Sequence, residues 1–462
     1  MKPPRGTRDF LPPESIARQK LIDKIRSIFE AYGYDPVWTP ALERLEVLTS
    51  KYGGGAEIIK EIYKLQDQGG RWLALRYDYT VPLARLYAQN PQLGIPFKRY
   101  QIGRCWRDGP VKFGRYREFW QCDADIVGSK SMLADAESLS VVDTLFKELG
   151  LDVVIKVNSR KLLQGILEFV GVPTDLTMTT MLSIDKIEKI GIEGVMVELE
   201  EKGLPQATLE NALNFLSYKG TNAEILRTLK NVIPNERAQE GIRELEELLA
   251  YAEVLQVKNV QVDVSLARGL EIYTGNVFEV FLKSEELSSS LAGGGRYDKI
   301  IGKFSELWKK DTNETGRTIE IPAVGISIGF DTLMDALALQ GNLKPEKTVT
   351  KVFVIPIGSR KPQKKENRET EANMLVEAVK VVSRLRAERI PADIDLVGRS
   401  ISKNLEYANK KSIPFVILLG SKEYTMQKIR LRDMKSGEEE LLTLEQACKK
   451  LQSVLEREKL GT

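Results

Sequence analysis

The stretch Arg104 to Gly128, RCWRDGPVKFGRYREFWQCDADIVG, gathers the residues best suited to chemistry. Through Arg117 it crowds cations around a Gly-Pro turn; beyond that it alternates aromatic or apolar residues with Gln121, Asp123 and Asp125. Two antiparallel strands joined by a cationic loop read this way. Period-two alternation puts Gln121, Asp123 and Asp125 on one strand face, which favours a shared polar pocket over separately solvated carboxylates. Arginines beside carboxylates suit a site that holds a polyanion and a small cationic ligand together.

The chain contains no histidine. That removes Ser-His-Asp triads, Cys-His dyads, imidazole metal ligands and a histidine general base in one step. Catalysis must then rest on arginines, carboxylates, a bound metal or the substrate itself. Cys105, Cys122 and Cys448 form no CxxC pair, which argues against a disulfide framework and a zinc knuckle. The net charge is only +3, so a polyanion must be met by local patches. The opening MKPPRGTRDFLPPES lacks the apolar core of a signal peptide, and no span is long and apolar enough for a bilayer. A soluble cytoplasmic protein without membrane contact is the plain expectation.

A chain of 462 residues, 42% hydrophobic, is long enough for about three packed domains of roughly 150 residues. Ser15 to Tyr34 sets Leu21, Ile25, Ile28, Phe29 and Tyr32 on one helical face. Extended sequence follows around Pro40, and Arg71 to Arg76 is a strand candidate. Met132 to Leu149 and Arg160 to Val170 read as helices around a strand over Asp152 to Val157. From about Pro173 to Gln256 the sequence turns helical and charged, as an insertion would. Strand-like sequence resumes at Val260 to Ser265 and Asn276 to Leu282. It is followed by AGGGRYD (Ala292 to Asp298) and by AVGISIGFD (Ala323 to Asp331), a small-residue run read as opening a helix. Beyond a polar linker at Asn342 to Thr350, VFVIPI, ADIDLV and FVILLG alternate with helices at Glu371 to Glu388 and Ser402 to Lys410. Continuous apolar strands of this kind indicate a small α/β domain covered on both faces. Its basic loop, Ser359 to Thr370, fits either a solvated surface or nucleic-acid contact on composition alone.

RGTRDFLP (Arg5 to Pro12), TPALE (Thr39 to Glu43), LRYDYTVPLAR (Leu75 to Arg85), GRYREFWQCDADIVG (Gly114 to Gly128), LARGLEIYTG (Leu266 to Gly275) and AGGGRYD resemble, in the same order, the sequence blocks of histidyl-tRNA synthetases of the archaeal and eukaryotic type. The resemblance covers nearly the whole chain. It implies an α+β class II synthetase catalytic domain, an antiparallel sheet with helices, over residues 1–172 and 257–341. A helical insertion would occupy 173–256 and a C-terminal α/β anticodon-binding domain 350–462. The implied reaction joins L-histidine to tRNA(His) through histidyl-adenylate, with ATP and Mg2+. The implied assembly is a homodimer with TPALE at the interface. Carried over position by position, Arg107, in the strand before the turn, would hold the α-phosphate, Arg115 the terminal phosphates, and Arg268 the α-phosphate from the opposite side. Asp78, Thr80 and Gln121 would take the histidine ammonium, with Arg268 near its carboxylate; Asp125 and Tyr273 would take the imidazole, with Tyr297 closing the pocket. Arg399, Lys403, Lys410 and Lys411 would meet tRNA.

The pattern breaks in places. Thr332 stands where motif 3 of this class ends in an arginine on the γ-phosphate. That loss is worth on the order of 1.5–3 kcal/mol, or about ten- to hundredfold in rate. Gly109 replaces a carboxylate expected two residues after Arg107, and Ile272 and Glu271 depart from the usual residues before Tyr273. Two alternatives therefore stand beside an active synthetase. One is a synthetase-like sensor of tRNA or histidine; the other is a synthetase-like regulatory subunit of ATP phosphoribosyltransferase.

Overall fold

The segment with alternating polarity folds as a hairpin at the centre of a large sheet. In chain order the first strands are β1 (Asp35–Pro36), β2 (Leu42–Arg44), β3 (Lys64–Gln66), β4 (Trp72–Leu75), β5 (Phe97–Trp106) and β6 (Glu118–Val127). They are followed by β7 (Val153–Ser159), β8 (Val260–Val262), β9 (Asn276–Leu282), β10 (Ala292–Arg296) and β11 (Ala323–Gly329). The computed structural model describes residues 1–50, 59–111, 114–268, 272–284, 287–312, 320–343, 346–358 and 368–460. The chain divides into two units, Met1–Asp9 with Leu21–Leu343, and Phe10–Lys20 with Lys344–Thr462.

In the first unit an eight-stranded sheet runs in the order β1-β5-β6-β11-β10-β9-β7-β8. Its internal pairs are antiparallel; β1 with β5 and β7 with β8 are parallel. A small antiparallel sheet, β2-β4-β3, lies apart from it. The helices from Met132–Glu148 and Arg160–Phe169 start at Ser131 and Ser159, whose hydroxyls accept backbone N–H bonds from the first turn. Between β7 and β8, after the helix Arg160–Phe169, come five further helices, from Thr174–Ile184 to Glu236–Val254. Among the described residues no helix is long and apolar enough to cross a membrane.

Three local expectations need correction. AVGISIG forms strand β11, and the helix Phe330–Leu339 starts only after it. Its small residues reflect the tightness of the sheet at that point. The strand expected over Val260 to Ser265 stops at Val262, because the Asp263 carboxylate accepts from both the Ser265 amide (3.1 Å) and its hydroxyl (2.6 Å), closing a turn. Arg107 lies one residue beyond β5, although its N–H still reaches the Arg117 carbonyl at 2.9 Å.

The second unit contains β12 (Val352–Pro356), β13 (Ala392–Ile394), β14 (Phe415–Leu419), β15 (Ile429–Asp433) and β16 (Glu439–Leu442) in the order β13-β12-β14-β15-β16. The first three are parallel and the last two antiparallel additions. Alternation sends Val352, Val354, Ile417 and Leu419 into one core with Ala378, Leu385 and Leu451. Phe353, Ile355, Val416 and Leu418 enter a second core with Ala408 and Ile413. Both faces are covered, as continuous apolar strands require. Of the basic loop, residues 359–367 lie outside the described residues.

Candidate active site

Strand register builds the site. On β6, Gln121, Asp123 and Asp125 share one face; across β5 they oppose Gly103, Gln101 and Arg99, and across β11 they oppose Gly329, Ser327 and Gly325. β10 continues these rows with Gly293 beside Ser327 and Gly295 beside Gly325, and one of them runs on through Glu279 of β9, beside Gly293, to Lys156 of β7. Directly opposed residues present their side chains on the same side of a sheet. One face therefore carries Arg99, Gln101, Gln121, Asp123, Asp125, Ser327 and Glu279, over a glycine floor.

The floor is a steric necessity. A Cβ on Gly293 would lie 1.7 Å from Arg268 Nη1, and one on Gly325 would lie 2.0 Å from Asp125 Oδ1. Arg268 thus lies across β10, its Nη1 donating to Glu279 Oε1 at 3.0 Å, with its guanidinium carbon 5.4 Å from the centre of the Tyr273 ring. The rings of Tyr273 and Tyr297 belong to the apolar core built with Val81, Ile300 and Phe304. The Tyr273 ring is thus a core ring, while its phenol shares an electrostatic neighbourhood with Arg268, Glu279, Asp123 and Asp125.

Asp125 accepts a hydrogen bond from the Tyr297 hydroxyl, and Arg99 Nη2 stands 2.8 Å from its Oδ2. Ser327 Oγ donates to Asp123 Oδ1 at 2.5 Å and accepts from Gln121 Nε2 at 3.0 Å. Gln121 Oε1 and Asp125 Oδ2 are buried without a hydrogen-bond donor; the Arg99 contact has the distance but not the alignment. Burial, then the charge of Asp125, pushes the Asp123 carboxyl up to about 7. Burial raises Asp125 too, with Arg99 and Tyr297 pulling it back down. Tyr297 is held well above the ordinary phenol range, first by burial and next by Asp125, so it remains a donor.

Asp78 stands just before the helix Thr80–Gln89 and accepts from Val81 N at 3.3 Å. Burial pushes its carboxyl up to about 7, while Arg107 and Arg99 draw it down, and Asp125 is close enough to raise it. Arg107 donates through Nε to the Tyr77 carbonyl at 3.2 Å and lies 5.1 Å from the centre of the Phe119 ring. Thr80 is the first residue of its helix and half-buried. Asp78, Arg107, Asp125, Tyr273, Tyr297 and Arg268 are thereby linked through shared electrostatic neighbours.

Arg115 is placed differently. It is half-exposed and ion-paired with Glu61 at 3.0 Å. Thr332 Oγ1 lies 3.5 Å from the carbonyl of Gly114, so position 332 does adjoin the cationic loop. Residues 112 and 113 of that loop, and Gly269 to Glu271 before Tyr273, lie outside the described residues. The side chain missing at Gly109 has a structural counterpart: a Cβ there would come within 2.7 Å of Glu61 Oε1. In the second unit Arg399 pairs with Asp395 at 3.0 Å and stacks 4.5 Å from the Tyr407 ring, and the Lys410 carbonyl accepts from Lys347 at 3.5 Å.

Three participants escape a reading of the sequence. Arg99 sits in FKRYQIGR among other cations, and only the pairing of β5 with β6 sets it against Asp125. Glu279 and Glu61 lie in unremarkable segments, 11 residues from Arg268 and 54 from Arg115, the arginines they hold.

The family profile described as "Histidyl-tRNA synthetase" matches residues 6–333, and one described as "Anticodon binding domain" matches residues 351–454. The chain is 41% identical over 443 residues to "Histidine--tRNA ligase 1" of Bacillus cereus, covering 95% of this chain and 96% of that protein. It superposes with a TM-score of 0.81 and 31% identity on the crystal structure of histidyl-tRNA synthetase from Nostoc sp. PCC 7120, covering 98% of this chain and 99% of that one. A structure described as an ATP phosphoribosyltransferase regulatory subunit/histidyl-tRNA synthetase from Bacillus halodurans is similar in fold, with a TM-score of 0.72 at 22% identity over 91% of this chain and 98% of that chain. A profile match across the catalytic blocks, with 41% identity along nearly the whole length, means that the chain belongs to the histidyl-tRNA synthetase family.

Proposed function

We propose that this pocket binds L-histidine beside ATP, joins them as histidyl-adenylate, and passes the histidyl group to the 3′ end of tRNA(His). One observation carries the reading: two buried acceptors on the same strand face are short of donors, Gln121 Oε1 with none and Asp125 Oδ2 with only the poorly aligned Arg99 contact at 2.8 Å. A buried acceptor left idle costs about 1–3 kcal/mol, so the pair fits a ligand that brings N–H groups. Histidine brings them at both ends, on its ammonium and on its imidazole.

Asp78, Thr80 and Gln121 then receive the ammonium. Asp125, Tyr273 and Tyr297 receive the imidazole, with Asp125 accepting from one ring N–H and a tyrosine hydroxyl facing the other nitrogen. The histidine carboxylate attacks the α-phosphorus of ATP, and pyrophosphate leaves. Negative charge gathers on the equatorial oxygens, where Arg107 and Arg268 stabilise it as fixed guanidinium groups. Arg115 exchanges its Glu61 partner for the terminal phosphates. No protein base is required, because the attacking carboxylate is already an anion. In the second step the ribose hydroxyl attacks the acyl carbon, its proton passes to a phosphate oxygen of the adenylate, and AMP departs.

Among the described residues no group of three or more His, Cys, Asp or Glu side chains could share a metal ion. Mg2+ would therefore enter with the triphosphate, as part of the nucleotide substrate. We further propose a cytoplasmic homodimer, supported by the exposed Trp38, Leu42 and Trp72 around TPALE. Residues 1–172 and 257–341 would form the catalytic domain. Residues 173–256 would clamp the acceptor stem, and residues 350–462 would bind the anticodon region through Arg399, Lys403, Lys410 and Lys411. The regulatory and sensor readings gain no support from a chain that keeps both the pocket residues and an anticodon-binding unit.

ATP–pyrophosphate exchange measured with each of the twenty amino acids tests the proposal. Exchange with histidine alone is expected; none with any amino acid, while tRNA binding persists, would mean a sensor. A second result concerns the phosphates. Thr332 adjoins Gly114, so Thr332→Arg would place a guanidinium beside the loop that carries Arg115. It is expected to lower KM for ATP about tenfold, the value of one charge-assisted contact. An unchanged KM would put the terminal phosphates elsewhere.

A further inference from the structure

We propose that Arg99 is a positioning residue that fixes the anionic state and orientation of Asp125, and through it the selectivity of the pocket for an N–H-bearing side chain. The inference rests on the pocket being the histidine site. Arg99 is fully buried near the start of β5, directly opposite Asp125 in the hairpin register. Its Nη2 is 2.8 Å from Asp125 Oδ2 and donates to the Tyr79 carbonyl at 3.2 Å, whereas its Nε and Nη1 have no hydrogen-bond partner in the structure. A guanidinium buried with idle donors does not benefit folding, since an apolar side chain of similar volume would serve the sheet as well or better. Its place here is explained by what it faces.

The groups around Asp125 are otherwise acids or phenols. Asp123 stands two residues away on β6, Asp78 before the helix Thr80–Gln89, Tyr297 at the end of β10, Tyr273 before β9, and Tyr34 after the first helix. Arg107 lies beyond Asp78. Arg99 is the cation set against Asp125 itself, and its field also reaches Asp123 and Asp78. With a guanidinium at one carboxylate oxygen and the Tyr297 hydroxyl donating to the other, the anion is the form both neighbours favour. An anion can only accept, so the cavity demands an N–H from its ligand. Asp78 and Asp123 are already raised to about 7 with Arg99 present; without it Asp125 loses its opposing cation, takes up a proton more readily and becomes a donor that meets the imidazole wrongly.

The test is histidine-dependent ATP–pyrophosphate exchange by Arg99→Leu, Arg99→Gln and Arg99→Lys, followed from about pH 6.5 to about pH 9. For Arg99→Leu, KM for histidine at pH 7 is expected to rise on the order of a hundredfold, while KM for ATP stays within about threefold. The sign with pH is set by the acceptor role: the ionised carboxyl binds, burial raises its pKa, so in this variant histidine affinity recovers as pH rises. In the parent, where Arg99 draws Asp125 down, the dependence on pH is weaker. Arg99→Gln, which keeps bulk without charge, reproduces the pH-dependent defect and decides the matter if the leucine variant does not fold. Arg99→Lys, which keeps the charge, restores KM to within about tenfold of the parent. A parental histidine KM in Arg99→Leu or Arg99→Gln would overturn the proposal. So would a parallel loss for both substrates that lysine does not rescue, since Arg99 would then only hold the sheet. Asp125→Asn separates the two levels: an unchanged histidine KM there would remove the histidine-site reading itself.

Discussion

Arg268→Ala is expected to slow histidine-dependent ATP–pyrophosphate exchange by roughly 10²- to 10³-fold, the scale of losing one preorganised donor to a developing oxyanion. The structure shows why this side chain is preorganised. Arg268 lies over Gly293, where any Cβ would collide with it, and Glu279 and the Tyr273 ring hold it from two further directions. Its side chain is only 18% exposed, so little reorganisation is needed when charge appears on phosphorus. Because Arg268 is held by Glu279 and Tyr273 within the catalytic face, tRNA binding measured by filter retention should fall by less than about threefold, in the range of a surface change. Exchange persisting near the parental rate would show that this guanidinium does not meet the α-phosphate. A matched loss of exchange and tRNA affinity would point to collapse of the glycine-floored face instead.

The polar face was legible in the sequence because alternation is a local signal: Gln121, Asp123 and Asp125 need only β6 to be a strand to share a side. The two-faced C-terminal sheet was legible for a similar reason, since VFVIP and FVILL are apolar at every position. What was not legible depends on register or on distant segments. Arg99 meets Asp125 because β5 and β6 pair with those residues opposed, and shifting the hairpin by one residue would turn Arg99 to the other face. Glu61 fills the space beside Gly109 from nearly fifty residues upstream, a contact no local pattern encodes. AVGISIG reads as a helix opening by its small residues, yet Gly325 answers to its neighbour on β6, whose Asp125 side chain fills the space a Cβ would need. Asp263 ends a strand early through a side-chain turn that competes with the ladder.

Gly325→Ala should be at least as damaging to histidine binding as a change in any residue that touches the ligand. Gly325 opposes Asp125 across the β6–β11 pair, and an added Cβ would lie 2.0 Å from Asp125 Oδ1, 2.7 Å from its Cγ and 3.1 Å from the Ala124 carbonyl. The aspartate side chain is too short to bend away while keeping both partners, so it must give up the Tyr297 hydroxyl, the Arg99 guanidinium or both. Each charge-assisted contact is worth about 1.5–3 kcal/mol, which puts the rise in histidine KM at a hundredfold or more. Overpacking costs about 1–3 kcal/mol of stability in addition, a fall in Tm of several degrees. Gly94→Ala is the control, because a Cβ there meets nothing within 4 Å and should alter neither quantity. If Gly325→Ala lowered Tm as expected but left KM for histidine at the parental value, the carboxylate of Asp125 would not be what the imidazole finds. The recognition would then have to be moved to Tyr273 and Gln121, on the same face but free of that clash.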